Sequence, residues 1–259
     1  MSEAFAWLDT GGVPRLECPL GTARAAFSTR NGGVSEGAYA SLNLGILTDD
    51  DPARVTRNRE ALSDALGRDP RSVAMGWQVH GADVQVHHEP PAAGKQGFGT
   101  PGDDLARVDA QVTDSAHVTP LVLVADCLPL ALAAPGAVAM VHCGWRGVVA
   151  GIVERAVTAL RRVGGDGAVQ AALGPAIGPC CYEVGPEVGD VFVRNGHADA
   201  YDGRTLDLTH VVCCELEALG VEQVALAGMC VSCHPELFFS HRRDGGVTGR
   251  QAGLAWLAT

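Results

Sequence analysis

The sequence predicts a mixed α/β fold, on three observations. The apolar runs Leu121–Val124 and Ala137–Val141 are short and bounded by Pro129, Pro135, Gly136 and Gly144, as buried strands are. Longer segments with helical periodicity, Pro52–Leu66 and Val148–Val163, accompany them. No repeat, low-complexity tract or clear linker divides the 259 residues, so one domain spanning 1–259 is expected.

Taken in order, residues 1–22 read as an irregular lead-in. Ala25–Ser28 reads as a short strand before the turn-rich TRNGGVS. Asp51-Pro52 starts a helix, with an N-cap side chain and proline at the first helical position. Gly67 ends it, and Val55, Leu62 and Leu66 face inward. Ser72–His80 and Ala82–His87 read as strands, and Glu89–Asp103, loaded with glycine and proline, as a mobile surface loop. Val108–Thr113 is a further strand. The two central apolar runs follow, then the turn GWRG and the helix from Val148. Val169–Leu173 reads as a strand and GPAIGPCCYEVG as a loop. Pro186–Arg194 and Leu208–Leu219 read as short helices, and Val224–Ala227 and Thr248–Leu257 as the last strands.

The net charge of -11 argues against a general affinity for nucleic acid or an anionic membrane. Lys95 is the only lysine, so any anion site relies on arginine forks. The N-terminal MSEAFAWLDTGG lacks the basic and apolar regions of a secretory signal. No apolar run reaches the roughly 18 residues of a membrane span. With nine cysteines and no secretion signal, a cytoplasmic protein with reduced thiols is expected.

The chain is organised around PLVLVADCLPLALAAPGAVAMVHCGWRGVVAG, residues 120–151. Cys127 and His142 lie where its two apolar runs give way to turns. Chemistry placed there is held rigidly and still meets a ligand. His80, in GWQVHGADV, ends another strand-like run. Two imidazoles and a thiolate suit zinc, and three protein ligands leave a fourth position open for water or substrate. A buried cysteine with two hydrogen-bonded histidines accounts for the same residues, so spacing alone leaves both readings open. Asp126 and Glu183 are candidate acids, Asp126 alternatively a partner that orients a ligand. Cys230–His234 matches the CxxCH haem-attachment pattern, but that attachment requires export. The pairs Cys180-Cys181 and Cys213-Cys214 read as packing thiols.

FSTRNGGVSEGAYASLNLG, QVHGADV, ADCLPL, VHCGWRG, GPAIGPCCYEVG and FFSHRRDGGVTGR, in this order, resemble the laccase-domain family. Its members are variously called polyphenol oxidases, purine nucleoside phosphorylases and peptidoglycan editing factor. The resemblance runs from about Phe27 to Arg250. It implies a layered α/β sandwich with mixed sheets, similar to deamidase toxins that use a Cys–His pair. It also implies metal binding by His80, Cys127 and His142, with zinc expected and copper the alternative. Arg30, Arg146, Arg242 and Arg250 all fall in these motifs and suggest an anion pocket, with Gln78 beside them on the substrate side. Arg146, just before the helix that starts near Gly147, is expected to grip phosphate together with backbone donors at that helix start. Two departures stand out: Cys143 where the family usually has a small residue, and His241 where it has tyrosine.

Three readings follow. The resemblance implies a zinc enzyme that cleaves adenosine, inosine and methylthioadenosine with phosphate, with adenosine deamination as a side activity. Alternatively, Cys127 is a nucleophile and His142 its base in an amidase acting on a cell-wall precursor. A multicopper oxidase would need paired HxH motifs, and none of the nine histidines forms one. The expected partners are purine nucleosides and phosphate. No nucleic acid or membrane is expected; the sequence leaves the oligomeric state open, and a monomer is compatible with it.

Overall fold

The computed structural model describes residues 4–91, 98, 105–165 and 167–258. Its strands are β1 (Ala6–Thr10), β2 (Val13–Leu20), β3 (Ala23–Ser28), β4 (Val73–Ala74), β5 (Val84–His87), β6 (Ala110–Thr113), β7 (Thr119–Val124), β8 (Leu128–Ala134), β9 (Ala137–Cys143), β10 (Gln170–Leu173), β11 (Gln223–Leu226) and β12 (Gln251–Leu257). Its α-helices are α1 (Pro52–Leu66), α2 (Trp145–Val149), α3 (Ile152–Gly164), α4 (Pro186–Arg194) and α5 (Leu208–Ala218).

Two six-stranded mixed sheets result, one in the order β1-β2-β3-β12-β7-β4 and the other β11-β10-β8-β9-β6-β5. Alternation along the strands makes the layers. In β9, Ala137, Ala139 and Val141 face α3 and α5, whereas Val138 and Met140 pack against the first sheet. On the outer face of the first sheet, Leu121, Ala252 and Leu254 pack with Leu62 of α1. The order of layers is therefore helix, sheet, sheet, helices.

Several expectations are corrected. Residues 1–22 are not irregular: β1 and β2 form a hairpin around Gly11 and Gly12, both at positive φ. Its signal is hidden because β2 buries a charged pair, Arg15 to Glu17 at 2.8 Å, among its apolar residues. Pro129 does not end a strand; it is the second residue of β8, which is buried throughout. A strand buried on both faces loses its alternation and reads as a plain apolar run. Of Ser72–His80 only Val73–Ala74 is strand, so His80 stands on a loop. The expected helix from Val148 is two helices, because Gly151 at φ 83 separates α2 from α3. Most of Glu89–Asp103 lies outside the described residues. Among the described residues no helix is long and apolar enough to cross a membrane.

Between β7 and β8 the chain crosses from one sheet to the other in three residues, Ala125, Asp126 and Cys127. That crossing positions the site.

Candidate metal centre and its cavity

Cys127 is the last residue of the crossing. It is reached through Asp126 in the left-handed region at φ 94. Few residues other than glycine adopt that conformation without support. Here the Asp126 carboxylate accepts Ser240 Oγ at 2.6 Å and the Arg242 backbone N–H at 2.7 Å. The Asp126 carbonyl accepts the Ile177 N–H at 2.9 Å. Asp126 thus anchors two later loops and aims the thiol.

His142, near the end of β9, is buried. Its Nδ1 lies 2.7 Å from Asp109 Oδ1. An ionised carboxylate can only accept, so Nδ1 carries a proton and Nε2 is the nitrogen left to bind a metal. The same carboxylate accepts the backbone N–H groups of Val79 (3.1 Å), His80 (3.0 Å) and Gly81 (2.8 Å). Asp109 therefore fixes the tautomer of one imidazole and the loop that carries the other, which is itself strained at φ 58. Burial alone would raise the Asp109 carboxyl. The His142 and backbone hydrogen bonds outweigh it and hold the group below the usual carboxylate range.

These supports bring His80, Cys127 and His142 together, their ligand atoms all within 4.8 Å of one another. Cys127 Sγ lies 3.9 Å from His80 Nε2, and the two imidazoles meet edge-on with ring centroids 4.8 Å apart. Gly144 leaves room for the ligands: a Cβ on it would lie 2.6 Å from His80 Cδ2 and 3.4 Å from Cys127 Sγ, so His80 would have to shift. Burial would raise the Cys127 thiol, but the charge and hydrogen bond of His142, joined by His80, pull it down to about 6. His142 moves the opposite way: the Cys127 thiolate and Asp109 override the effect of burial and raise it to about 9. Cys143 points into the helical core and takes no part; burial pushes its thiol well up.

The three residues open onto a cavity of about 630 Å³. Its wall also includes Trp77, Gln78, Asp126, Trp145, Tyr182, His241, Arg242 and Arg250. Gln78 uses both ends of its amide on the Leu123 backbone, at 2.8 Å each, which braces the wall beside β7. The Arg242 guanidinium lies 5.5 Å from the Tyr182 ring centre. Arg250 is held by the Thr248 and Gly249 carbonyls at 3.0 and 2.9 Å.

Three expected residues lie elsewhere. Arg30 binds the Ala40 and Pro235 carbonyls and stacks on Phe239, which makes it a loop clamp. Arg146 is exposed, with its guanidinium over the Trp145 ring, and α2 after Gly144 is only five residues long. Glu183 is exposed and pairs with Arg204. Sequence reasoning missed Asp109 and Tyr182. The first stands in DAQVTD beside a strand, where nothing local marks a carboxylate that serves two distant imidazoles. The second is the neighbour of the residue chosen, Glu183.

A family profile described as multi-copper polyphenol oxidoreductase laccase matches residues 24–258. The chain belongs to this family. Within it, the chain is 42% identical over 243 residues to a protein of Streptomyces coelicolor named purine nucleoside phosphorylase SCO2081, covering 91% of this chain and 96% of that one. It is 37% identical over 268 residues to purine nucleoside phosphorylase YlmD of Geobacillus stearothermophilus, covering 96% and 93%. The crystal structure of that YlmD superposes with a TM-score of 0.87 at 34% identity over the whole of both chains. A Bacillus licheniformis protein, YfiH, superposes with a TM-score of 0.86 at 31% identity, covering 99% of this chain and all of that one. The mixed two-sheet α/β architecture is thus shared with both of these structures.

Proposed function

We propose that the chain, acting as one domain, is a zinc-dependent purine nucleoside phosphorylase. The observation that carries this reading is a nucleoside-sized cavity lined by a His–Cys–His set and by arginines, Arg242 and Arg250 among them. The names of the relatives from Streptomyces and Geobacillus point the same way. The donor set suits zinc: two imidazole nitrogens, of which that of His142 gives up a proton on binding, one thiol already biased toward thiolate, and a carboxylate behind one imidazole. A bound zinc ion would supply Lewis acidity and an acidified water.

The reaction replaces the purine nitrogen on ribose C1′ with a phosphate oxygen, and the departing base needs a proton. Arg242 and Arg250 hold the phosphate in bidentate contacts. Arg30 and Arg146 do not line the cavity, although Arg146 stacks on its wall residue Trp145, and are not needed for this. Trp77, Trp145 and Tyr182 supply flat apolar surface for the purine and ribose. The Tyr182 phenol, pushed up by burial to about 12, stays protonated and is the donor facing the leaving base. Asp126 aims the thiol and takes no proton. Asp109 keeps the His142 proton on Nδ1 throughout. Adenosine, inosine and methylthioadenosine are the proposed substrates, and a metal held by His80, Cys127 and His142 would also supply the acidified water that adenosine deamination needs as a side activity.

A second reading rests on the depressed Cys127 thiol next to His142. That pair is the arrangement of a Cys–His amidase such as one acting on a peptidoglycan precursor. Incubating the purified protein with adenosine and phosphate separates the two. Ribose 1-phosphate and free adenine are expected; their absence, with release of an amide-linked group from a cell-wall fragment, would favour the amidase. The ligand inventory does not suit a multicopper oxidase. All nine histidines lie among the described residues, and only His80 and His142 fall in a group that could hold a metal ion.

A further inference from the structure

A second group of soft ligands lies apart from the cavity's His–Cys–His set. Cys180, Cys181, Cys230 and Cys233 place their sulfurs within 4.8 Å of one another. Cys233 Sγ is 3.5 Å from Cys180 Sγ and 3.4 Å from Cys181 Sγ. None of the four is in a disulfide. Cys181 and Cys230 are half-buried against Ile177, Val231 and Phe238, but Cys180 and Cys233 are exposed, so packing does not account for the convergence of all four. Exposed free thiols gathered to this degree have no packing reason to converge.

The backbone around them is built like a metal knuckle. Cys230–Cys233 is a CxxC on a turn, closed by the Cys233 N–H to the Cys230 carbonyl at 3.1 Å. Across from it, Gly178–Cys181 forms a second turn, closed by the Cys181 N–H to the Gly178 carbonyl at 2.9 Å. Adjacent residues in a turn, unlike those in a strand, can turn their side chains the same way. The Gly178 N–H donates to Cys230 Sγ at 3.2 Å, a bond that stabilises a thiolate. Four thiolates around zinc at about 2.3 Å each stand about 3.8 Å apart, close to the separations seen here. A disulfide would need about 2.05 Å.

We propose that Cys180, Cys181, Cys230 and Cys233 form a closed, structural zinc site that clips the loop after β10 to the loop after β11. Binding one Zn²⁺ displaces four thiol protons and leaves a tetrathiolate with no open position, so the site does no chemistry of its own. It positions the cavity wall. Ala176, Ile177 and Tyr182, on the clipped loop, line the cavity, and Ile177 packs with Val231 and Phe238 beside the cysteines. This inference does not depend on the proposed activity.

The test is metal stoichiometry, followed by thiol titration of the unmodified protein. Purified under reducing conditions without chelator, the protein is expected to carry about two zinc ions per chain. The double variant Cys230→Ser/Cys233→Ser should carry about one, and Cys127→Ala about one, with different cysteines responsible for each loss. If the double variant fails to fold, a Cys127→Ala chain reconstituted with Co²⁺ answers instead, since its remaining cobalt should show the intense thiolate-to-cobalt charge transfer of an all-sulfur tetrahedral site. Mercurial titration of the unmodified protein should release the second zinc as those thiols react. The proposal is overturned if the double variant keeps all its zinc, if cobalt in Cys127→Ala shows no sulfur charge transfer, or if the isolated protein has an iron–sulfur chromophore or a disulfide among these residues.

Discussion

The cavity centre and the four-cysteine cluster are built from similar soft donors and differ in everything around them. The first mixes two imidazoles with one thiol, faces a cavity of about 630 Å³, and is held by carboxylates: Asp109 behind His142 and the His80 loop, Asp126 behind Cys127. The second is all sulfur, sits on two turns, and is backed by a backbone N–H from Gly178. Three ligands with an open face give a reactive centre, whereas four identical ligands give a rivet. The carboxylates matter as much as the ligands, because they set a tautomer and hold two backbone conformations that would otherwise be strained.

The largest effect that separates the two regions should come from Cys127→Ala. It should remove the cavity metal and lower nucleoside phosphorolysis on the order of 100-fold or more, while the four-cysteine zinc stays. Retained cavity metal and full phosphorolysis, measured by elemental analysis and ribose 1-phosphate release, would mean that Cys127 is not a ligand. Asp109→Asn should come next, at roughly 10- to 100-fold in metal affinity or activity. It leaves ligand identities intact but takes away the charge that holds His142 and the three N–H groups of the His80 loop. A variant indistinguishable from the parent in a competitive chelator titration would reduce Asp109 to packing.

Gly144→Ala is a steric version of the same test. The added Cβ would meet His80 Cδ2 at 2.6 Å, so His80 must shift. A loss of about 10-fold in activity with little change in melting temperature is expected, since displacing one ligand disturbs the centre more than the fold. Unchanged kinetics would show that the His80 loop yields freely.

These tests also mark how far the site was legible from sequence. His80, Cys127 and His142 stood out as residue types at the ends of apolar runs, and the structure brings them together. Asp109 did not, because its partners are 28 to 33 residues away along the chain and only the pairing of β6 with β5 and β9 makes them neighbours. The same limit applied to the cysteines: Cys180-Cys181 and Cys230–Cys233 are local patterns with bland readings until two loops meet. In the fold, α1 and α4 were legible to the residue, since each opens on proline with a recognisable flank. The β1–β2 hairpin and β8 were not. An exposed edge strand, a strand with a buried ion pair and one buried on both faces all lack the period-two signal.

Smaller effects separate arginines on the cavity wall from those off it. Arg250→Lys or Arg242→Lys keeps charge and loses the fork, so the KM for phosphate should rise several-fold. Arg146→Lys, exposed over Trp145, should change it by less than about 2-fold. Equal responses in steady-state kinetics would move phosphate toward Trp145. In metal-free protein, alkylation of Cys127 should rise with pH through about 6, since the thiolate forms there, and not through the ordinary range near 9. In Asp109→Asn the midpoint should move upward, because the imidazolium that stabilises the thiolate loses its own partner. A parent midpoint near that of a free cysteine would contradict the pairing with His142.

The most direct test strips the protein with a chelator and follows ribose 1-phosphate formation from adenosine and phosphate as zinc is added back. Negligible turnover is expected in the stripped protein and recovery with added zinc, while a His80→Ala chain treated identically stays inactive. Full turnover in the metal-free protein, or equal recovery in His80→Ala, would contradict a reaction that depends on zinc at this site.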